Sequence, residues 1–336
     1  MRLFALVLLV ATASCVPNNS QSNSGSGGAP PSSGGVTTSG GAPSSGGKPS
    51  SGGMISSGGA PSSGGKVSTG GAPSSGGKVS TGGSTSTASV DCPDVSTYTA
   101  VVNSNFGGSY ISVDGNANKN YYMQANWWGL YSNEVEMING LGFSMTNPTG
   151  VSSSNNNPMG FPSIYIGSYS GKPTKGSNLP KQVSALTGVP TIFSTNSDSK
   201  GTSNYNATYD VWFSQSSGGV SGSDPGSGGA YLMVWLFKPS NRQPRGSIAV
   251  NGRMINGMPG AWDVWIDNTN PPCISYVVSG APLAQLSFDL NDFIQDAVTN
   301  KYGITASMYL SIVFAGFEVW GGGDGLQIKK FCATVQ

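Results

Sequence analysis

Tyr231-Leu232-Met233-Val234-Trp235-Leu236-Phe237 decides how this chain folds. The run has no Gly or Pro and reads as a strand. At period two, Leu232, Val234 and Leu236 share one face, and Tyr231, Met233, Trp235 and Phe237 share the other. The first set suits a core between two sheets. The second is aromatic and sulfur-bearing, as a groove wall is. Asn206–Phe213 repeats the pattern. Asn206, Thr208, Asp210 and Trp212 lie opposite Ala207, Tyr209, Val211 and Phe213. A third run, Leu310, Ile312 and Phe314, leads to Glu318 through Gly316, where a bulge is expected to shift the register.

Outward from these strands, further strand signals are punctuated by Gly, Asn, Ser and Pro: Tyr121–Trp128, Val135–Met145, Ile164–Ser168, Arg253–Asn256, Trp262–Asp267, Ile274–Val278 and Leu326–Val335. One helix is expected. Leu290, Phe293, Ile294, Ala297 and Val298 have helical spacing, with Asp289 as N-cap and Gly303 beyond the end. Many strands and one short helix predict an all-β fold, a two-layer antiparallel sandwich with a concave face. Carboxylates and flat aromatics on such a face suit a saccharide, whose rings stack and whose hydroxyls hydrogen-bond.

Composition narrows the chemistry. The 336 residues include no histidine, which excludes Ser-His-Asp triads and His-based zinc sites. The glutamates are Glu134, Glu136 and Glu318 alone. A net charge of +1 without a basic cluster leaves no footprint for nucleic acid. No metal site or organic cofactor is expected. Gly321-Gly322-Gly323-Asp324-Gly325 opens no helix, so it reads as a turn at a cleft edge.

Residues 1–15 read as an export signal: Arg2, then a short apolar core from Leu3 to Val10. Two endings stay open. Ala11-Thr12-Ala13 fits a small-x-small cleavage site, and Ala13-Ser14-Cys15 resembles a lipobox in which Cys15 is lipidated. Lipidation of Cys15 leaves Cys92, Cys273 and Cys332, an odd set allowing one disulfide. Cys92 and Cys332, near the two ends of the folded part, are one candidate pair; Cys273 is the other candidate partner. Residues 16–90 are a Gly/Ser/Pro-rich linker with a twelve-residue repeat and almost no apolar side chains. Such a stretch is expected to be a disordered tether reaching on the order of 45–50 Å. The single folded domain is expected over 91–336.

At this point a family resemblance becomes visible. Asn126-Trp127-Trp128-Gly129 resembles the Asn-x-Trp-Gly motif of glycoside hydrolase family 12. Phe161-Pro162-Ser163-Ile164-Tyr165, Asn178-Leu179-Pro180, Asn206-Ala207-Thr208-Tyr209-Asp210-Val211-Trp212, Met233-Val234-Trp235, Gln243-Pro244-Arg245-Gly246-Ser247 and Ala315-Gly316-Phe317-Glu318-Val319-Trp320 follow in that family's order. The resemblance implies a β-jelly-roll with an open cleft, and a retaining endo-β-1,4-glucanase of the cellulase and xyloglucanase type. By position, Glu318 matches the general acid/base, Asp210 the acid beside the nucleophile, Asn126 and Trp128 sugar-binding residues, and Met233 a residue of the cleft floor. Trp212, Trp235 and Trp320 complete the expected binding set.

The resemblance also exposes departures. The family's nucleophile is a glutamate at the position of Tyr231, Val319 replaces a proline, and Arg245 replaces an apolar residue. Retaining cleavage needs two carboxyl groups ~5–5.5 Å apart. A phenol, with a reference pKa near ~10, is a poor replacement. Three rescues are open: Tyr231 as nucleophile with Asp210 as base, Asp210 activating a water for inversion, or a shifted alignment, which finds no other glutamate between Glu136 and Glu318. The expectation is a secreted or surface-tethered, monomeric protein that binds β-1,4-glucan, with hydrolysis weakened or lost. The alternative is a non-catalytic glucan-binding module or surface adhesin. A lipid on Cys15 is the only membrane attachment foreseen.

Overall fold

The computed structural model describes residues 90, 92–93, 95, 99–113, 116–128, 132–136, 140–149, 156–196 and 203–336. The expected signal, Cys15 and nearly all of the linker lie outside the described residues. Nineteen strands are present among the described residues. The first nine are β1 (Val101–Val102), β2 (Gly108–Val113), β3 (Asn116–Gln124), β4 (Ser132–Glu136), β5 (Phe143–Thr149), β6 (Ser163–Tyr169), β7 (Lys172–Pro173), β8 (Lys181–Gln182) and β9 (Pro190–Asn196). Then come β10 (Asn204–Tyr205), β11 (Ala207–Ser214), β12 (Ala230–Phe237), β13 (Ser247–Arg253), β14 (Ala261–Asp267), β15 (Cys273–Ser279) and β16 (Gln285–Asp289). Helix α1 (Asn291–Thr299) precedes β17 (Tyr309–Gly316), β18 (Val319–Gly321) and β19 (Gln327–Ala333).

Two large sheets form the sandwich. The outer one runs β1-β4-β5-β19-β9-β16, and the inner one β13-β14-β15-β12-β11-β17-β6-β3-β2. A short pair, β10 with β18, flanks Glu318. This is the two-layer sandwich the alternating pattern implies, and the resemblance implies a jelly-roll; among the described strands one pair departs from antiparallel, β12 and β15, which run parallel.

Alternation sorts the residues. Leu232, Val234 and Leu236 join the main core with Tyr209, Val211 and Phe213, while Tyr231, Met233, Trp235 and Trp212 join a second apolar cluster on the opposite face. Two bulges correct the expected pattern. The β11–β12 register shifts at Ala207/Thr208, so Phe237 turns to the core and packs on Tyr205 with ring centroids 4.8 Å apart. On β17 the shift falls between Ile312 and Leu310, opposite Trp212/Phe213, rather than at Gly316. Leu310 therefore faces the core, and Ile312 and Phe314 the second cluster.

Other boundaries differ as well. The Val135–Met145 signal splits into β4 and β5, and of the expected strand Arg253–Asn256 only Arg253 is in a strand, as the last residue of β13. Helix α1 buries Phe293, Ile294 and Ala297 as its spacing implies. Phe293 meets Trp262, Tyr276 and Phe288 edge-on at 5.0, 5.1 and 5.6 Å. Leu290, not Asp289, is the N-cap, yet Asp289 still serves the helix start. Its Oδ1 accepts the Asn291 N–H at 2.9 Å and the Val189 N–H at 2.6 Å.

Candidate functional site

The second apolar cluster lies on the face of the inner sheet turned away from the main core. The strand register lines up one row across nine strands: Tyr110, Tyr122, Tyr165, Phe314, Asp210, Met233, Ser275, Trp265 and Ile248. Side chains in one such row project to one side of the sheet. Asp210 is the only acid in it, and aromatic rings extend from it towards β2. Trp212 and Tyr231 form the neighbouring pair, ring centroids 5.4 Å apart and nearly perpendicular.

Glu318 follows β17 across Gly316. A Cβ at Gly316 would come within 2.5 Å of the Pro162 carbonyl, so only glycine lets the strand approach this closely. Asn206 then holds Glu318 three ways. The Asn206 N–H donates to the Glu318 carbonyl at 3.0 Å, the Glu318 N–H donates to Asn206 Oδ1 at 2.8 Å, and Asn206 Nδ2 donates to Glu318 Oε2 at 2.5 Å. This clamp was missed in the sequence, although Asn206 was read onto the polar face of its strand. It also leaves the formal Asn206-Ala207-Thr208 glycosylation sequon fully buried.

The segment around Gly160 ties Glu318 to the Asn126–Trp128 turn. Met159 N–H donates to the Val319 carbonyl at 2.7 Å, Trp128 N–H to Met159 at 3.1 Å, and Phe161 N–H to Asn126 at 2.9 Å. Gly160 must lack a side chain here, since a Cβ would sit 2.3 Å from the Trp127 ring. Asn126 has a left-handed backbone, φ 51°, and its side chain lies beside the Tyr169 hydroxyl. Trp128 is half-buried against the second cluster, which also holds Trp320. Trp235 and Trp320 stand 6.4 Å apart, and the Trp320 indole N–H donates to the Asn156 carbonyl at 2.8 Å. Thus Glu318, Asp210, Tyr231, Met233, Trp212, Trp235, Trp320, Trp128 and Asn126 all gather at this one face.

Electrostatics separate the acids. Burial pushes the Asp210 carboxyl well above the usual carboxylate range, and the charge of Glu318 pushes the same way. The Trp212 indole offsets part of this, but neither its N–H nor either Asp210 oxygen meets a partner in hydrogen-bond geometry. Trp235 Nε1 is likewise buried and unpartnered. Burial therefore favours the protonated form of Asp210 over the carboxylate. Tyr231 is also pushed above its ordinary value, first by burial, then by Asp210 and Asp224, with Arg245 opposing.

A raised carboxyl pKa in the fold has a definite sign. Its stabilising contribution is complete below the ordinary carboxylate pKa of ~3.9 and declines as pH rises towards the folded value. Asp210→Asn keeps the shape and removes that decline. Melting temperatures of the two proteins are expected to converge near pH ~4 and to separate in favour of Asp210→Asn towards neutral pH. A gap independent of pH would show that Asp210 ionises as an ordinary acid does.

The model of glycosyl hydrolase family 12 matches residues 119–336. The chain belongs to that family. The probable cellulase Cel12b of Mycobacterium tuberculosis is 29% identical over 160 residues, which is 48% of this chain and 99% of that one. Endoglucanase S of Pectobacterium parmentieri is 24% identical over 233 residues, 65% of this chain and 83% of the other. Among solved structures, endoglucanase cel12A from Rhodothermus marinus is 32% identical with a TM-score of 0.61, covering 70% of this chain and 99% of its own. A metagenome-derived family 12 endoglucanase is 31% identical with a TM-score of 0.62, covering 71% and 98%.

Proposed function

We propose that this family 12 protein binds β-1,4-linked glucan across the inner sheet and hydrolyses it weakly or not at all. The observation that carries this is Tyr231, a phenol, on the face of the second cluster, in the row next to Asp210. Retaining cleavage requires a carboxylate nucleophile opposite the acid. Tyr231 supplies none, and burial disfavours the carboxylate form of Asp210 that would act as a base. The binding half of the reading has its own support. Trp212 Nε1, Trp235 Nε1 and both Asp210 oxygens are buried without partners on one face. Buried polar groups cost free energy unless they are paired. Sugar hydroxyls are suitable partners, and the aromatic rows give the rings a surface to stack on.

Calorimetry with cello-oligosaccharides and xyloglucan fragments tests this. Binding without reducing-sugar release is expected, and Trp128→Ala should weaken it about tenfold, as the loss of one stacking contact of up to ~1.5 kcal/mol implies. A folded protein that binds no glucan would refute the binding function. Efficient hydrolysis abolished by Glu318→Gln would instead establish the glucanase reading.

The same proposal places the protein outside the cell, tethered through the linker and a lipid on Cys15. The signal-like N-terminus motivates it, and the Cys92–Cys332 disulfide agrees with an oxidising compartment. Mass spectrometry of the natively produced protein reads the outcome directly: a diacylglyceryl group on Cys15 supports the tether, and an unmodified chain cleaved after Ala13 replaces it with free secretion.

A further inference from the structure

We infer that the cleft takes a β-linked glycan bearing a carboxylate on the sugar seated over Tyr231, recognised by the Arg245 guanidinium. The inference rests on the glucan-binding reading above and narrows it from neutral glucan to uronate-bearing chains.

The register places the two residues together. Tyr231 pairs with Cys273, and Cys273 with Asp267, so the three form one row over β12, β15 and β14. Tyr231 and Cys273 belong to the cleft cluster, and Trp265, two residues before Asp267, packs against it. Asp267 therefore projects from the cleft face, about 9–10 Å from Tyr231 across two strand spacings. Arg245 lies on Asp267. Its Nε donates to Asp267 Oδ2 at 2.7 Å, and its Nη2 to Thr269 Oγ1 at 2.7 Å. The Arg245 side chain is only 12% exposed.

This geometry fixes a guanidinium rather than satisfying it. Arginine has five N–H donors in a planar fork. Asp267 and Thr269 take the Nε and Nη2 side. Nη1 has no hydrogen-bond partner and is not among the fully buried polar atoms. A carboxylate is the ligand whose geometry such a fixed fork matches. The Arg245 charge already reaches Tyr231, lowering the phenol's pKa against the raising influences.

The neighbouring charges are mixed, since Asp224 raises the Tyr231 pKa more than Arg245 lowers it. A glutamate at position 231 would repel a substrate carboxylate, whereas a neutral phenol does not. Burial raises the Asp210 pKa, and Asp224 is exposed with Oδ1 accepting the Gly226 N–H. The loop bearing Arg245 also brings Arg242 over the Trp320 ring, 5.5 Å from its centroid. Lys238 Nζ in turn donates to the Arg242 carbonyl at 3.2 Å. One loop thus carries three cations along the cleft margin.

The test compares two ligands with the same backbone, cellotetraose and the β-1,4-linked tetramer of glucuronic acid, by calorimetry on the full folded chain. The uronate tetramer is expected to bind about tenfold tighter, a difference of ~1.4 kcal/mol, and the preference should shrink as salt is raised. Arg245→Gln should bring the affinity ratio close to one. Tyr231→Glu should reverse it, which keeps a second readout if the Arg245 variant folds poorly. Equal or weaker binding of the uronate tetramer, with cellotetraose still bound, overturns this inference and leaves glucan binding standing. A preference that survives Arg245→Gln assigns recognition elsewhere and also overturns it. Binding of neither tetramer removes both readings.

Discussion

Replacing Tyr231 with glutamate is expected to raise hydrolysis of soluble β-1,4-glucan by about 10³-fold or more, since loss of a nucleophile in other hydrolases costs on the order of 10⁶. Glu318, the acid/base of the proposal, is fixed in position. Glu318 is held by Asn206 through three hydrogen bonds, and position 231 opens the cleft face of a strand paired on both sides. A carboxylate at 231 would be deprotonated more readily than the phenol and positioned by the same backbone. The substitution also removes a buried ring and its contact with Trp212, at a cost of about 3 kcal/mol. The variant's folding and glucan affinity must therefore be verified before its rate is read. Two companions separate chemistry from repacking. Tyr231→Gln has nearly the same shape as the glutamate and should gain nothing. Asn206→Ala in the Tyr231→Glu background should lose most of the gain by releasing Glu318. If a folded, glucan-binding Tyr231→Glu protein stays inactive, more than the nucleophile has been lost, and the proposed account of the cleft fails.

How much of this was legible in the sequence depended on alternation. β11 and β12 alternate strictly, and their two faces were assigned correctly up to the bulges. Phe237 falls on the opposite face from the one its alternation gives because one extra residue in a strand reverses every later side chain, and nothing in the local sequence marks where the extra residue falls. β13 was missed because its side chains are mostly exposed, leaving no apolar period to detect. The site divides in the same way. Tyr231, Asp210 and Glu318 stood out through strand faces and the family resemblance. Their environments did not, since the raised pKa of Asp210 follows from burial contributed by many distant residues. The Asn206 clamp joins positions 112 residues apart, and the Arg245–Asp267 contact depends on the pairing of β13 with β14. Only the assembled sheet brings such pairs together.

Loss of the Cys92–Cys332 disulfide is expected to lower stability by about 2–5 kcal/mol, and the melting temperature by roughly 5–15 °C for a domain of this size. The bond joins residues 240 positions apart, so in the loop-entropy view it restricts nearly the whole unfolded domain. Its folded ends differ. Cys332 is buried in β19, where its carbonyl accepts the Thr191 hydroxyl at 2.7 Å. Cys92 is half-buried ahead of β1, a strand of two residues paired only with β4. The clip thus fastens a weakly paired N-terminal edge to the middle of the outer sheet. Cys92→Ser is the clean variant, because Cys332 then remains as a small buried thiol that packs like an apolar residue. Thermal unfolding followed by near-ultraviolet dichroism reads the change, and hydrogen exchange locates it. A large drop in the midpoint with uniform loss of protection supports restriction of the unfolded chain. Exchange confined to the residues around β1, with the midpoint unmoved, would show instead that the bond merely pins an edge which the sandwich does not need.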